Sequence, residues 1–177
     1  MSLSEIAKKE VGYTEEGNNN NKYAKYFNKG GNFKPFDINI NNVSWCAIFV
    51  SYCLELDKNP LFYHLKDKNG NLRAGAFQKC CTYCPTIEQH FKENKKLFDG
   101  VNSKMKPQKD DIVLFTWNKP DTADHIGIVL DYDKNTGFLT TIEGNTSSTS
   151  AGSQDNGDGV FIKKRHISLT SGFIRPK

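Results

Sequence analysis

Hydrophobic and polar positions divide the chain into two halves of different texture. In the first half apolar residues recur at helical spacing. Leu3, Ile6, Ala7 and Val11 form one stripe over residues 3–12, which Gly12 stops. "TEEGNNNN" reads as a loop, and "KYAKYF" as a short helical turn carrying Tyr23, Tyr26 and Phe27, ended by Gly30–Gly31. Ala47, Phe49, Val50, Cys53 and Leu54 repeat the pattern over 45–56, and Pro60 marks a loop beyond it. Over 74–98 the positions Phe77, Cys80, Cys81, Cys84, Ile87 and Phe91 predict helix again. Pro85 divides this stretch into a short helix and a second one starting near Pro85–Thr86, since proline is tolerated in a first turn.

After Pro107 the period changes. "DIVLFTW", "HIGIVLDYD", "FLTTIEGN", "GVFIKKRH" and "SGFIRP" predict about five strands joined by short turns, and "NTSSTSAGSQDNGDG" (145–159) is a flexible loop by composition. Helices first and an antiparallel meander second predict an α+β fold, with the helices packed on one face of the sheet. No internal repeat interrupts the 177 residues, which fit a single domain over 1–177.

Composition narrows the class. Hydrophobic residues make up 37% and charged residues 25%, which supports one core and excludes a disordered chain. The net charge of +4 comes from lysines that are scattered apart from Lys95–Lys96 and Lys163–Lys164–Arg165. That is a solvated basic surface and no nucleic-acid footprint. No apolar run approaches the roughly 18 residues of a membrane span. The opening "MSLSEIAKKEVGY" lacks the basic-then-apolar pattern of a signal peptide, so action outside a cytoplasm calls for another means of release.

Five cysteines are present: Cys46, Cys53, Cys80, Cys81 and Cys84. An odd number without an export signal argues against a disulfide framework. The C-x-x-C spacing of Cys81 and Cys84 invites a zinc reading, but His90 is the only further candidate nearby and a structural zinc takes four ligands. Cys80 and Cys84, at helical spacing, read as buried thiols. Asp131, Asp133 and Asn135 imitate the start of a calcium loop, yet the glycine is displaced by one and the twelfth position is Ile142; a hairpin turn accounts for them better.

Chemistry concentrates at "NNVSWCAIFVSYC" (41–53). The run "NINN" is loop-like and Ser44 is an acceptable N-cap type, so Cys46 falls in the first turn of the helix. Unpaired N–H groups and the positive end of the helix dipole lower a thiol's pKa there. The same placement also suits a buried structural thiol. A thiolate nucleophile needs a base. His64 and His166 sit in loop-like or edge positions and His90 among charges on a helix; His125 opens the apolar strand "HIGIVL", a place that also suits a surface histidine. Thr141, Glu143 and Asn145 alternate on one face of the next strand. Pairing about the "DKNTG" turn brings Glu143 and Asn145 to the end of the sheet that carries His125. Tyr23 and Trp45 are candidate walls of a groove, or equally core residues.

Taken in order, "WCAIFVSYC", "KDDIVLF", "DHIGIV", "TIEGNTS", "NGDGVFIKKR" and "SGFIRP" resemble the CHAP family, the cysteine, histidine-dependent amidohydrolases/peptidases of papain-like fold that cut peptidoglycan. The likeness runs from "AKKEVGYTEEGNNNNKYAKYF" to the end of the chain. It implies that Cys46 is the nucleophile, His125 the base, Glu143 the orienting group and Asn145 a further active-site residue. It also implies bacterial peptidoglycan as partner and action at the cell wall, as in a phage lysin or a conjugation or tail apparatus. The incomplete zinc and calcium ligand sets predict no cofactor, and a monomer is expected. Cleavage falls either at the amide between sugar lactyl and peptide or within the stem or cross-bridge. Two departures stand out: no acidic calcium-binding run precedes Cys46, and no wall-binding module is appended. The alternatives are a non-catalytic wall-binding module of the same fold and an interbacterial amidase toxin.

Overall fold

The structure, a computed structural model, describes residues 1–29, 43–117 and 122–177. Its helices are α1 (Leu3–Lys8), α2 (Lys22–Lys29), α3 (Cys46–Leu56) and α4 (Cys84–Glu93). Its strands are β1 (Leu97–Phe98), β2 (Ile112–Phe115), β3 (His125–Asp133), β4 (Phe138–Thr146), β5 (Gly159–His166) and β6 (Thr170–Ile174). This is the α+β arrangement expected, helices first and an antiparallel sheet second.

Several local expectations need correction. α1 ends at Lys8, so Val11 lies beyond it and is exposed. No helix forms over 74–83. Gly75 sits at φ +70, Phe77 N–H bonds Cys80 O and Thr82 N–H bonds Gly75 O, which folds this stretch into a tight irregular loop. Cys80 and Cys84 therefore share no helix; Cys84 is the first residue of α4, with Pro85 tolerated behind it because its missing N–H has no intrahelical partner there. The glycine stop at Gly30–Gly31 and the run "NINN" lie outside the described residues.

The sheet has six strands among the described residues, in the order β1-β6-β2-β3-β4-β5. β2 to β5 form the expected meander, but β6 crosses back to pair with β2 instead of continuing beside β5. Only Ile167–Leu169, one turn of 3-10 helix, links β5 to β6. Four chain steps reach about 14 Å, whereas the four strand spacings between β5 and β6 in a flat sheet amount to about 19 Å. The sheet must therefore curl, and its two faces become different environments.

On one face Ile112, Leu114, Ile126, Ile128, Ile142, Val160 and Ile174 pack against α1, α3 and their neighbours. α3 is buried nearly all round, from Cys46 through Ser51. Each of its large apolar side chains contributes about 1.5–3 kcal/mol by leaving water. The closest approach is at Gly144, where an added Cβ would stand 2.7 Å from Phe49 Cβ, so the glycine lets the helix lie against β4. The other, concave face holds a second cluster: Val113, Phe115, Val129, Leu139, Ile167 and Phe173, with Phe98 and Trp117 partly covering it.

Candidate active site

Three chain segments converge at one end of the curled sheet: the start of α3, the start of β3 and the end of β4. Cys46 is the first residue of α3, as expected. The cap is not Ser44, however. Trp45 occupies the N-cap position, and no side chain caps the helix. Ser44 instead donates its hydroxyl to Asn145 Oδ1 at 2.6 Å, and the Trp45 N–H donates to the same oxygen at 2.9 Å. The chain just before the nucleophile candidate is thereby tied to β4.

His125 and Glu143 are both fully buried and meet through Nε2 and Oε2 at 3.0 Å. The strand register makes this contact possible. Ile128 faces Ile142, which places Gly127 beside Glu143. A Cβ on Gly127 would lie 2.9 Å from Glu143 Cγ. The glycine of "HIGIV" thus leaves the lane along which the carboxylate reaches the imidazole. Trp117 stacks on the other side, with its ring 4.9 Å from that of His125 at 26°. His125 Nδ1 is buried and has no hydrogen-bond partner among the described residues.

The carboxylate is held by four hydrogen bonds from three residues. Besides His125, Glu143 accepts from Thr141 Oγ1 at 2.6 Å, from Arg165 Nε at 3.0 Å and from Arg165 Nη2 at 2.6 Å. Arg165 lies over the Trp117 ring at 4.8 Å. Burial by itself raises the Glu143 pKa, but the His125 and Arg165 contacts outweigh it and hold the carboxyl at about 2. At His125 burial likewise works against charge. The Cys46 sulfur and then Glu143 reverse it and raise the imidazole to about 9.

Cys46 is lowered from the usual thiol value to about 5. The first cause is a contact outside the expected set: Cys84 Sγ lies 3.7 Å from Cys46 Sγ and acts as a thiol donor. Burial opposes the shift, while the nearby imidazole of His125 and the Ala47 backbone N–H reinforce it. Cys46 and His125 therefore favour a thiolate–imidazolium pair. Cys53, Cys80 and Cys81 are all raised, chiefly by burial, and stay neutral thiols.

The expected residues are brought together unevenly. His125 and Glu143 are in direct contact, and Cys46 lies near enough for its charge to couple to the imidazole. Asn145 lies beside these residues but does not follow the alternation that Thr141 and Glu143 share. Its φ of 57° and a register shift between Glu143 and Thr146 turn its amide away from His125, toward Ser44, Trp45 and the carbonyl of Gly157 at 2.7 Å. Tyr23 and Trp45 are fully buried and present no groove wall. Their rings meet at 5.4 Å with a tilt of 34°, and Tyr23 and Trp45 donate to Glu10 and Glu15 at 2.8 and 2.6 Å.

Sequence reasoning missed Arg165, Trp117 and Cys84. Arg165 reads in the sequence as part of a solvated basic group, and only the period of two along β5, which puts Lys163 and Arg165 on one face and Lys164 on the other, hints at its inward position. Cys84 carried a signal of its own: like Cys46, it stands where a helix begins.

Among the described residues no group of three or more His, Cys, Asp or Glu is placed to hold a metal ion. The "DYDKNTG" stretch is a β-hairpin turn: Asp133 accepts from Asn135 N–H at 2.9 Å and Thr136 Oγ1 at 2.7 Å, and Gly137 closes it at φ +73. No helix among the described residues is long and apolar enough to cross a membrane. In comparisons with known proteins, the family model described as CHAP domain matches residues 38–145. No curated protein and no solved structure matches the chain.

Proposed function

Since the chain belongs to the CHAP family, whose model spans more than half of it, we propose that it hydrolyses an amide bond of bacterial peptidoglycan through Cys46, His125 and Glu143. The observation that carries this reading is the histidine's two-sided environment. Nε2 is bound to Glu143, while Nδ1 is buried and unpaired on the ring whose charge couples to Cys46.

In this mechanism Nδ1 takes the Cys46 proton, and the thiolate attacks the amide carbonyl. The N–H groups at the start of α3 have no intrahelical acceptors, and that of Cys46 itself stabilises the oxyanion. His125 returns the proton to the leaving amine, and water then releases the acyl enzyme. Glu143 fixes the tautomer and stabilises the imidazolium, and Arg165 with Thr141 keeps the carboxylate ionised and pointed. Asn145 acts one step removed, by fixing the backbone at Trp45. The work is done at the cell wall by a single catalytic domain, and the bond is either the lactyl–peptide amide or one within the stem or cross-bridge.

The test is clearance of a cell-wall suspension by wild type, Cys46→Ala and His125→Ala, with circular dichroism of each and mass analysis of the released ends. Loss of clearance in folded variants is expected, and new amino termini identify the bond. A folded Cys46→Ala protein that still clears walls refutes the mechanism.

A further inference from the structure

α3 and α4 both begin with a cysteine, and the two sulfurs face each other. Cys46 Sγ and Cys84 Sγ are 3.7 Å apart, although 38 residues separate them in the chain. Both side chains are nearly fully buried, and all five cysteines are free thiols. Firm attachments hold the two backbones. Asn145 ties the chain before Cys46, as described. Beyond Cys84, Thr86 Oγ1 donates to Ala74 O at 2.6 Å, and Glu88 accepts the Ala123 N–H at 2.8 Å. The latter bond joins α4 to the segment leading into His125. No other pair of cysteine sulfurs is hydrogen-bonded among the described residues. Cys81, for example, turns its sulfur toward Tyr83 O at 3.6 Å.

The two thiols are chemically unequal. Cys46 is held as a thiolate by its neighbours, whereas Cys84 keeps its proton, raised first by the Cys46 contact and then by burial. A thiolate beside a neutral thiol is the arrangement in which one sulfur is oxidised and the other resolves it. A hydroperoxide is smaller than the amide substrate proposed for Cys46.

We propose that Cys84 is the resolving thiol of Cys46, and that a hydroperoxide converts the pair into a disulfide which holds the enzyme inactive until a dithiol reduces it. The Cys46 thiolate attacks one peroxide oxygen; the O–O bond breaks, Cys46 becomes a sulfenic acid and hydroxide (or alkoxide) leaves. The Cys84 sulfur then attacks the Cys46 sulfur, the S–O bond breaks, and the Cys84 proton departs with the oxygen as water. Closing the bond requires the sulfurs to approach by about 1.7 Å from their present separation. A dithiol reverses the step by exchange and is itself oxidised. The loss of activity rests on Cys46 being the nucleophile; formation of the bond does not.

The experiment treats the reduced protein with hydrogen peroxide and follows intact mass, non-reducing peptide maps and wall clearance. The wild type is expected to lose two hydrogens, to give a joined peptide containing Cys46 and Cys84, and to lose clearance that dithiothreitol restores. Cys84→Ala is expected to give no joined peptide, to accumulate oxygen on Cys46 as sulfinic acid, and to stay inactive after dithiothreitol. The proposal is overturned if Cys46 of the wild type gains oxygen with no joined peptide, if Cys46 pairs with a different cysteine, or if oxidised Cys84→Ala recovers as fully as wild type. The wild-type map needs no variant to fold. If reduced Cys46→Ala clears walls, the hydrolytic reading fails while the Cys46–Cys84 peptide still decides the disulfide.

Discussion

Replacing Arg165 by alanine removes the one cation that grips Glu143 with two nitrogens, at 3.0 and 2.6 Å, and leaves a fully buried carboxylate behind. Breaking a buried ion pair by deleting one partner costs about 3–5 kcal/mol. His125 and Thr141 still contact Glu143, which places the expected loss at the lower end, about 3 kcal/mol. For a chain of this size that corresponds to a fall in Tm of about 6–12 °C. The pH dependence adds a second signature. Glu143 is held at about 2 against a usual value of 4.5, so its contribution is fully present above 4.5 and is lost as pH falls through about 2. Without Arg165 its pKa rises, because burial is then less opposed, and acid unfolding moves to higher pH. Arg165→Lys keeps the charge but not the fork over Trp117, and should fall between the two. Urea unfolding at neutral and acidic pH, alongside wall clearance, measures all three proteins. If Arg165→Ala unfolds within about 0.5 kcal/mol of wild type, with an unmoved acid midpoint, then Glu143 is not held in the way described.

The pH profile of clearance should be bell-shaped. Activity falls below about 5, where the Cys46 thiolate takes up a proton, and above about 9, where His125 loses the proton it owes the leaving amine; a flat profile across either value would contradict the ion pair. Asn145→Ala strands the buried Trp45 N–H and the Gly157 carbonyl and puts alanine at φ 57°, so a loss of about 3 kcal/mol in urea unfolding is expected, with kcat reduced more than KM. Clearance should survive EDTA, because a thiolate–imidazolium pair generates its nucleophile without a metal; activity that vanishes on chelation and returns with calcium or zinc alone would overturn that expectation.

How far the sequence reached can be seen residue by residue. It placed Cys46 at a helix start and His125 at the head of a strand, because both are consequences of local periodicity. It put Glu143 at the histidine's end of the sheet, because a hairpin turn fixes register between adjacent strands. The α+β order of elements followed from the same change of period. Beyond neighbouring elements the signal ended. That β6 returns to β2, and so curls the sheet, depends on which edge completes the core. Asn145 leaves its expected face because a bulge turns it, and alternation alone cannot announce a bulge. Tyr23 and Trp45 looked equally suited to groove or core; packing against Phe49 and Tyr52 put Tyr23 in the core. Arg165 and Cys84 are the clearest cases. One lies 22 residues past Glu143 on β5, the other 38 past Cys46 on α4. Neither has a local reason to approach the site. What carries them there is the burial of apolar faces on a curled sheet, a property of the whole fold that no short stretch of sequence contains.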